Sequence, residues 1–173
     1  MKFFYDTEFL ERNGRIFPIS IGIAADEPNI FGETFYYAVI MDAQWKIIIE
    51  DAWIRENVIP NLGPDDAFKP QWQIGREIRN FIVSYGDKRE DHELWAYYGA
   101  YDHVVLSQIY GRMIDIPEPI PMHTNDIMTL AHMHGLPDPQ LDSDHNALKD
   151  AEQVRKAYMQ LTQRTEKGQA NDR

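Results

Sequence analysis

The segment KFFYDTEFLERNGRIFPISIGIA, residues 2–24, determines the fold of this chain. Residues 2–7 are aromatic-rich and alternating, which predicts a first strand, and residues 15–24 predict a second. Asn13–Gly14 lies between them and is a strong signal for a tight turn, because both residues tolerate positive φ. A looser turn leads to a third predicted strand at about 33–41. Three strands joined by short turns predict an antiparallel meander.

Two residues of the second predicted strand indicate local irregularities. Pro18 has no N–H to donate to a ladder, so we expect it at an edge or a bulge. Gly22 has no Cβ and permits another backbone to approach closely. Both residues are expected to shape the contacts of this strand.

The rest of the chain predicts helices that alternate with strands. Further helices are predicted at 49–58, after Pro70, after Gly99, near 126–134 and from about His145 onward, and further strands at 93–98 and near 122–124. This order predicts one α/β domain, residues 1–164, with a mixed five-stranded sheet flanked by helices. Residues 165–173 are polar and are expected to form a disordered tail.

Composition limits the classes of protein to consider. The chain has 173 residues, 43% of them hydrophobic, which fits a single domain with its own core. It has no cysteine, which excludes disulfide frameworks, cysteine nucleophiles and zinc sites built from thiolates. A formal net charge of −11 argues against a protein that holds long nucleic acid by basic patches, but not against an enzyme that binds a few nucleotides through metal ions. The sequence starts without an apolar signal segment and has no apolar run of ~20 residues, so the cytoplasm is the expected location.

Asp6 and Glu8 are the first candidates for chemistry. Residues i and i+2 of a strand project from one face, roughly 6.5–7 Å apart, so these two carboxylates share a face while Tyr5 and Thr7 point the other way. Carboxylates at this spacing can straddle two divalent cations. The alternative is a pair of ordinary surface acids, but here the pair interrupts an apolar strand.

Three further residues fall at positions typical of a functional site. Asp102 follows a predicted strand and a turn, and ligands in α/β sheets favour the carboxyl ends of strands. His145 and Asp150 point to one site if the histidine lies in the entry to the last helix and the aspartate within it. Histidine can act as a general base near neutral pH. Taken singly, each residue fits an ordinary helix-terminal or surface acid, or a capping or packing histidine, better than a functional group.

Together these elements resemble the DEDD superfamily of 3′→5′ exonucleases, and specifically its DEDDh branch, whose third motif is H-x4-D. The motifs here are FYDTEF at 4–9, GAYDH at 99–103 and HNALKD at 145–150. Within that branch the chain is most similar to the small 3′→5′ exoribonucleases of mycobacteria and other actinobacteria. The resemblance extends from the first strand to the last helix.

The resemblance implies a ribonuclease H-like fold and a hydrolase that releases nucleoside 5′-monophosphates from the 3′ end of single-stranded RNA. It implies two bound Mg²⁺ or Mn²⁺ ions with four carboxylate ligands: Asp6, Glu8, Asp102 and Asp150. It also implies that His145 activates the attacking water. Many members have an asparagine where this chain has Tyr97, so substrate contacts are expected to differ there. Relatives in this branch are often dimers, which makes a homodimer the expected assembly to test.

The substrate is expected to be short and single-stranded. Few basic residues are available to follow a backbone, which favours trimming of 3′ ends over processive digestion. Recognition would then rest on base stacking. The candidate substrate contacts are Thr7, Phe9, Leu10 and Tyr101. The preference for RNA comes from the resemblance alone, and three alternatives stay open: a DNA-directed exonuclease, a structure-specific endonuclease on the same fold, and an inactive nucleotide-binding protein.

Overall fold

The fold is built on one mixed sheet, in a computed structural model that describes residues 1–171, with side chains described as far as Thr165. The strands are Lys2–Arg12 (β1), Arg15–Ala25 (β2), Phe35–Ile40 (β3), Phe68–Lys69 (β4), Glu93–Ala96 (β5) and Thr124–Asp126 (β6). All five predicted strands are present, and β4 makes a sixth, so the expected count of five strands is corrected. β4 has only two residues, which is too short for a periodic signal, and it pairs with the neighbouring β3.

Among residues 1–171, six α-helices surround the sheet. They are Trp45–Ile48 (α1), Ala52–Asn57 (α2), Gln71–Val83 (α3), Ala100–Tyr110 (α4), Ile127–Met133 (α5) and Ala147–Asn171 (α6). The helix predicted at 49–58 is present as α2 but begins three residues later, and the separate short helix α1 before it was missed in the sequence. The Asp51 carboxylate accepts a hydrogen bond from the Ile54 N–H at 3.0 Å, so it caps a new helix start instead of continuing the previous one.

β1 lies inside the sheet, whose strand order is β4-β3-β2-β1-β5-β6. The meander β1–β2–β3 is antiparallel, β5 pairs parallel to β1, and β6 pairs parallel to β5. The hairpin between β1 and β2 pairs as far as Arg12 opposite Arg15, which carries β1 beyond its predicted end at Thr7. Asn13 and Gly14 form the turn with φ values of 54° and 69°, as their residue types predict.

The β1–β2 ladder contains a bulge next to Glu8. Glu8 lies opposite Ser20, whereas Phe9 lies opposite Pro18, so the register shifts by one residue between them. Pro18 cannot donate to the ladder, and its predicted place at an edge or a bulge is confirmed.

Helices cover both faces of the sheet. Tyr5 belongs to the core formed with α3 and α4, and Phe4 belongs to the core formed with α5 and α6. Because side chains alternate along a strand, Asp6 and Glu8 follow Phe4 toward α6, while Thr7 follows Tyr5 toward α4.

Gly22 brings α6 into direct contact with the sheet. A Cβ built on Gly22 would lie 2.2 Å from the backbone nitrogen of Leu148, in the first turn of α6. The predicted close backbone approach is therefore confirmed. Gly22 is also the register partner of Asp6, so the start of α6 sits beside the candidate carboxylates.

The end of the chain differs from the expected tail. α6 runs to Asn171, through most of the segment predicted to be disordered, and residues 172–173 lie outside the described part. The boundary at residue 164 stays a prediction. In the part of the chain that is described, no helix combines the length and apolar character needed to cross a membrane.

Candidate active site

The candidate site lies where β5 separates from β1. The last pair of these parallel strands is Phe4 opposite Trp95, and β5 ends at Ala96. Asp6 and Glu8 follow on β1, just past this point. The carboxyl ends of parallel strands are where α/β sheets bind ligands, because the separating connections leave a crevice there.

Three carboxylates converge at this crevice. Asp6, Glu8 and Asp150 each place an oxygen within 4.8 Å of the others. Asp150 lies in the first turn of α6, which Gly22 allows to approach the sheet. The sequence prediction that Asp6 and Glu8 share one face of β1 is thus met, with the third carboxylate supplied from the helix above that face.

Asp102 contacts β1 from the opposite face of the sheet and is not part of the three-carboxylate cluster. It lies in the first turn of α4, and its Oδ1 accepts hydrogen bonds from the backbone N–H of Thr7 at 2.9 Å and from the Thr7 hydroxyl at 2.7 Å. Thr7 is buried and sits between Asp6 and Glu8 in the chain. Its two donors therefore tie Asp102 to the strand that carries the other acids.

Burial raises the pKa values of Asp6, Glu8 and Asp102, and repulsion from the neighbouring acids adds to the rise at Asp6 and Glu8. Burial, together with the charges of Asp102, Glu8 and Asp150, raises the pKa of Asp6 well above its usual value. Burial, followed by the charges of Asp150 and Asp102, raises the pKa of Glu8 to about 8. Burial also raises the pKa of Asp102 to about 6, against the lowering effect of the Thr7 hydrogen bonds. The protein alone does not compensate the negative charge of this site.

The donor set fits divalent cations. Among the residues that the structure describes, none of the four carboxylates forms an ion pair with a lysine or arginine. Buried charges without a partner are unfavourable, and carboxylate oxygens are the ligands that Mg²⁺ and Mn²⁺ prefer. Asp6, Glu8 and Asp150 would hold such an ion directly. Asp102 lies outside that group and is connected to it through Thr7.

His145 lies at the entry to α6, two residues before the helix begins. Its backbone is left-handed, with φ 51°, a conformation in which histidine is tolerated better than most residues. Its ring packs edge-on against Trp53, with centroids 4.9 Å apart, and its Nδ1 lies 3.1 Å from the Ser143 hydroxyl. The histidine and Asp150 therefore reach one site from a loop and a helix turn, as their spacing in the sequence requires.

A cavity of about 190 Å³ opens beside these groups. Besides Asp6, Glu8, Asp150 and His145, the residues that line it include Thr7, Tyr97, Leu141, Ser143 and Val154. Tyr97 thus faces the same space as the carboxylates. An apolar wall next to a charged one suits a ligand with a flat base and a phosphate.

The four predicted substrate contacts differ in their exposure and in the partners that they already have. Phe9 and Tyr101 stack on each other, with ring centroids 5.7 Å apart and an interplanar angle of 21°, and Tyr101 is 46% exposed. Leu10 is only 5% exposed and belongs to the core beneath α1 and α2. Both hydrogen-bond donors of Thr7, its backbone N–H and its hydroxyl, are bonded to Asp102. Among these four predicted contacts, the aromatic pair is the one that presents a surface on which a base could stack.

Sequence reasoning missed two residues beside the site. Ser143 contacts both His145 and Asp150, and the only local signal is a hydroxyl residue two positions before the histidine. Trp53 is 52% exposed and lies on the short helix α2, far from the three motifs in the chain. No local pattern identifies it, because its contact with His145 exists only in the folded chain.

Sequence comparison places this arrangement among known proteins. Residues 1–162 match the family model described as "3'-5' exoribonuclease Rv2179c-like domain". The chain is 33% identical over 172 residues to the 3'-5' exoribonuclease Rv2179c of Mycobacterium tuberculosis, covering 97% of each protein.

Comparison of folds gives a consistent result. The Mg²⁺- and Mn²⁺-bound form of S. pombe Pop2p matches with a TM-score of 0.51 at 13% identity, over 92% of this chain and 82% of that one. A chain in the structure of the yeast NOT1 MIF4G domain co-crystallised with CAF1 matches with a TM-score of 0.51 at 14% identity, over 94% and 79% of the two chains. At these identities the likeness concerns the fold alone, which is ribonuclease H-like.

Proposed function

This chain belongs to the Rv2179c-like family of 3′-5′ exoribonucleases, and on that premise we propose that it uses two divalent cations, Mg²⁺ or Mn²⁺, to release nucleoside 5′-monophosphates from the 3′ end of single-stranded RNA. The observation that carries the metal dependence is the cluster of Asp6, Glu8 and Asp150, which has no cationic partner among the described residues. We assign the activity to residues 1–164. A cytoplasmic location and a homodimer stay predictions.

Charge balance supports two ions in preference to one. The four ionised carboxylates carry −4 and two divalent cations carry +4, so the occupied site is close to neutral and accepts a phosphodiester. The ions would be held by four ligands: Asp6, Glu8, Asp102 and Asp150. When bound, they supply Lewis-acid polarisation and compensation of the charge that develops on the phosphate.

We assign His145 the role of general base. The neutral imidazole of a histidine can take a proton from water near neutral pH. The water oxygen then bonds to the terminal phosphorus, and the bond from phosphorus to the 3′ oxygen of the preceding nucleotide breaks. That oxygen takes up a proton, which leaves a shortened RNA and a nucleoside 5′-monophosphate.

Recognition of the 3′ end rests on stacking in this proposal. Phe9 and Tyr101 form an aromatic pair next to Glu8, and stacking on an aromatic ring is worth about 1–3 kcal/mol per base. The net charge of −11 leaves little attraction for a long backbone. The proposed substrate is therefore a short single-stranded end, and Thr7 is assigned to holding Asp102 instead of to the substrate.

The proposal is tested with a 5′-labelled single-stranded RNA ladder in Mg²⁺. Wild-type protein should shorten the RNA one nucleotide at a time, whereas Asp6→Ala and His145→Ala should not. Asp87→Ala, which removes an exposed acid outside the site, is the matched control and should retain full activity. Full activity of the Asp6→Ala variant, or of wild type in excess chelator, contradicts the proposed metal site.

The alternatives predict different products. A circular single-stranded RNA resists an exonuclease and is opened by an endonuclease. Faster digestion of matched DNA would reassign the substrate, and absence of any product with RNA and DNA would indicate an inactive nucleotide-binding protein.

A further inference from the structure

Ser143 joins the two functional residues of the third motif through one hydroxyl group. Its Oγ donates to Asp150 Oδ2 at 2.9 Å, accepts from the backbone N–H of His145 at 3.2 Å, and lies 3.1 Å from His145 Nδ1. A hydroxyl has one proton and two lone pairs. The hydroxyl proton of Ser143 is used in the hydrogen bond to the Asp150 carboxylate, and one lone pair accepts the backbone N–H of His145. The remaining lone pair can only accept a further hydrogen bond. His145 Nδ1 must therefore carry a proton.

We propose that Ser143 is a positioning residue that holds His145 as the Nδ1–H tautomer and thereby leaves Nε2 as the basic nitrogen. The role of that nitrogen as a base rests on the proposed function, whereas the tautomer follows from the hydrogen bonds alone. The proton on one ring nitrogen of histidine is set by the partner that this nitrogen finds. Among the described residues, no protein group forms a hydrogen bond with Nε2, and His145 lines the cavity that the substrate would enter.

The same hydroxyl orients the carboxylate of Asp150. Ser143 Oγ donates to Oδ2, and the backbone N–H of Asp144 donates to Oδ1 at 2.9 Å. Each oxygen still has a lone pair for a cation, and the two donors fix the direction in which it points. Loss of partners that orient a metal ligand typically lowers affinity or activity by about 10–100-fold.

The loop that carries Ser143 is anchored on both sides. Gln153 of α6 accepts from the backbone N–H of Asp142 at 3.0 Å and also donates to the carbonyl of that residue. The side chain of Asn146 donates to the carbonyl of Asn61 at 2.8 Å. Left-handed backbone at a residue other than glycine persists only when its surroundings define it, and these anchors do so for the intervening histidine.

The tautomer can be measured directly on the full chain. In protein labelled with ¹⁵N-histidine and saturated with Mg²⁺, at a pH where imidazole is neutral, the ring nitrogen shifts distinguish the Nδ1–H form from the Nε2–H form. His145→Gln identifies the relevant signal among the six histidines. We expect the Nδ1–H form in wild type and in Ser143→Thr, and its loss in Ser143→Ala. Ser107→Ala removes a hydroxyl that donates to the His103 carbonyl on α4, so this control should leave the His145 signal unchanged.

Activity provides the second readout. Ser143→Ala should lower kcat on a short RNA by about 10–100-fold with little change in KM, and Ser143→Thr, which keeps the hydroxyl, should restore it. An Nε2–H form in wild type, an unchanged Nδ1–H form in Ser143→Ala, or full kcat in that variant would overturn the inference. A wild-type protein without activity on RNA would overturn the proposed function instead, and the tautomer comparison would still decide this inference.

Discussion

Glu8→Gln should stabilise the metal-free protein and do so in a pH-dependent way. The pKa of Glu8 is about 8 in the folded protein, against 4.5 for an ordinary glutamate. Between these values the folded state binds more protons than the unfolded state, so the free energy of unfolding falls as pH rises from about 4.5 to about 8. The difference between the two pKa values corresponds to a loss of at most about 5 kcal/mol in the free energy of unfolding, which is complete above pH 8, because one pKa unit equals 1.36 kcal/mol. Glutamine carries no charge and avoids this loss.

Thermal unfolding followed by circular dichroism in chelator measures this effect. For a chain of this size about 1 kcal/mol shifts Tm by roughly 2–4 °C, so Glu8→Gln should melt up to about 10–20 °C above wild type at pH 9 and at nearly the same temperature at pH 4.5. Glu56→Gln, on the exposed side of α2, is the matched control and should follow wild type at both pH values. Mg²⁺ should reverse the order at pH 9, because only the intact site gains binding free energy. A Glu8→Gln variant that melts with or below wild type in chelator at pH 9 would refute the reasoning.

Three further substitutions test how the site is built. Gly22→Ala places a Cβ against the backbone of α6, and since overpacking costs about 1–3 kcal/mol, Tm should fall by about 2–12 °C; an unchanged melt would mean that α6 does not sit as described. Thr7→Val removes the hydroxyl donor of Asp102, so kcat should fall by about 10–100-fold while Thr7→Ser stays near wild type; equal rates for both variants would argue against the tie between this threonine and the carboxylate. Phe9→Ala should raise KM for RNA by about 5–150-fold with kcat nearly constant, as expected for the loss of one stacked base, and steady-state kinetics with an unaltered KM would exclude that contact.

Local chemistry explains why part of the site was predictable. Two-residue periodicity puts Asp6 and Glu8 on one face of a strand whatever the rest of the chain does. Pro18 lacks a backbone N–H donor and lies at the bulge in the β1–β2 ladder. Gly22 lacks a Cβ and lies where the backbone of α6 approaches the sheet. The five-residue spacing of the third motif excludes one straight helical face, which places its histidine in the entry to α6.

The remaining features depend on contacts between distant parts of the chain. Thr7 is adjacent to two predicted ligands, but its hydrogen bonds to Asp102 connect residues that are 95 positions apart. Ser143 gains its role only once α6 has formed and turned Asp150 toward it. α2 begins three residues after its predicted start because Asp51 caps it there, and hydrophobic periodicity does not reveal such a cap.

Diffraction from crystals grown with Mn²⁺, recorded near the manganese absorption edge, tests the metal centre most directly. We predict two anomalous peaks bounded by the carboxylates of Asp6, Glu8, Asp102 and Asp150, and their loss in crystals of Asp150→Asn. Peaks elsewhere on the protein, or an intact double peak in that variant, would contradict the central claim that these acids converge to bind divalent cations.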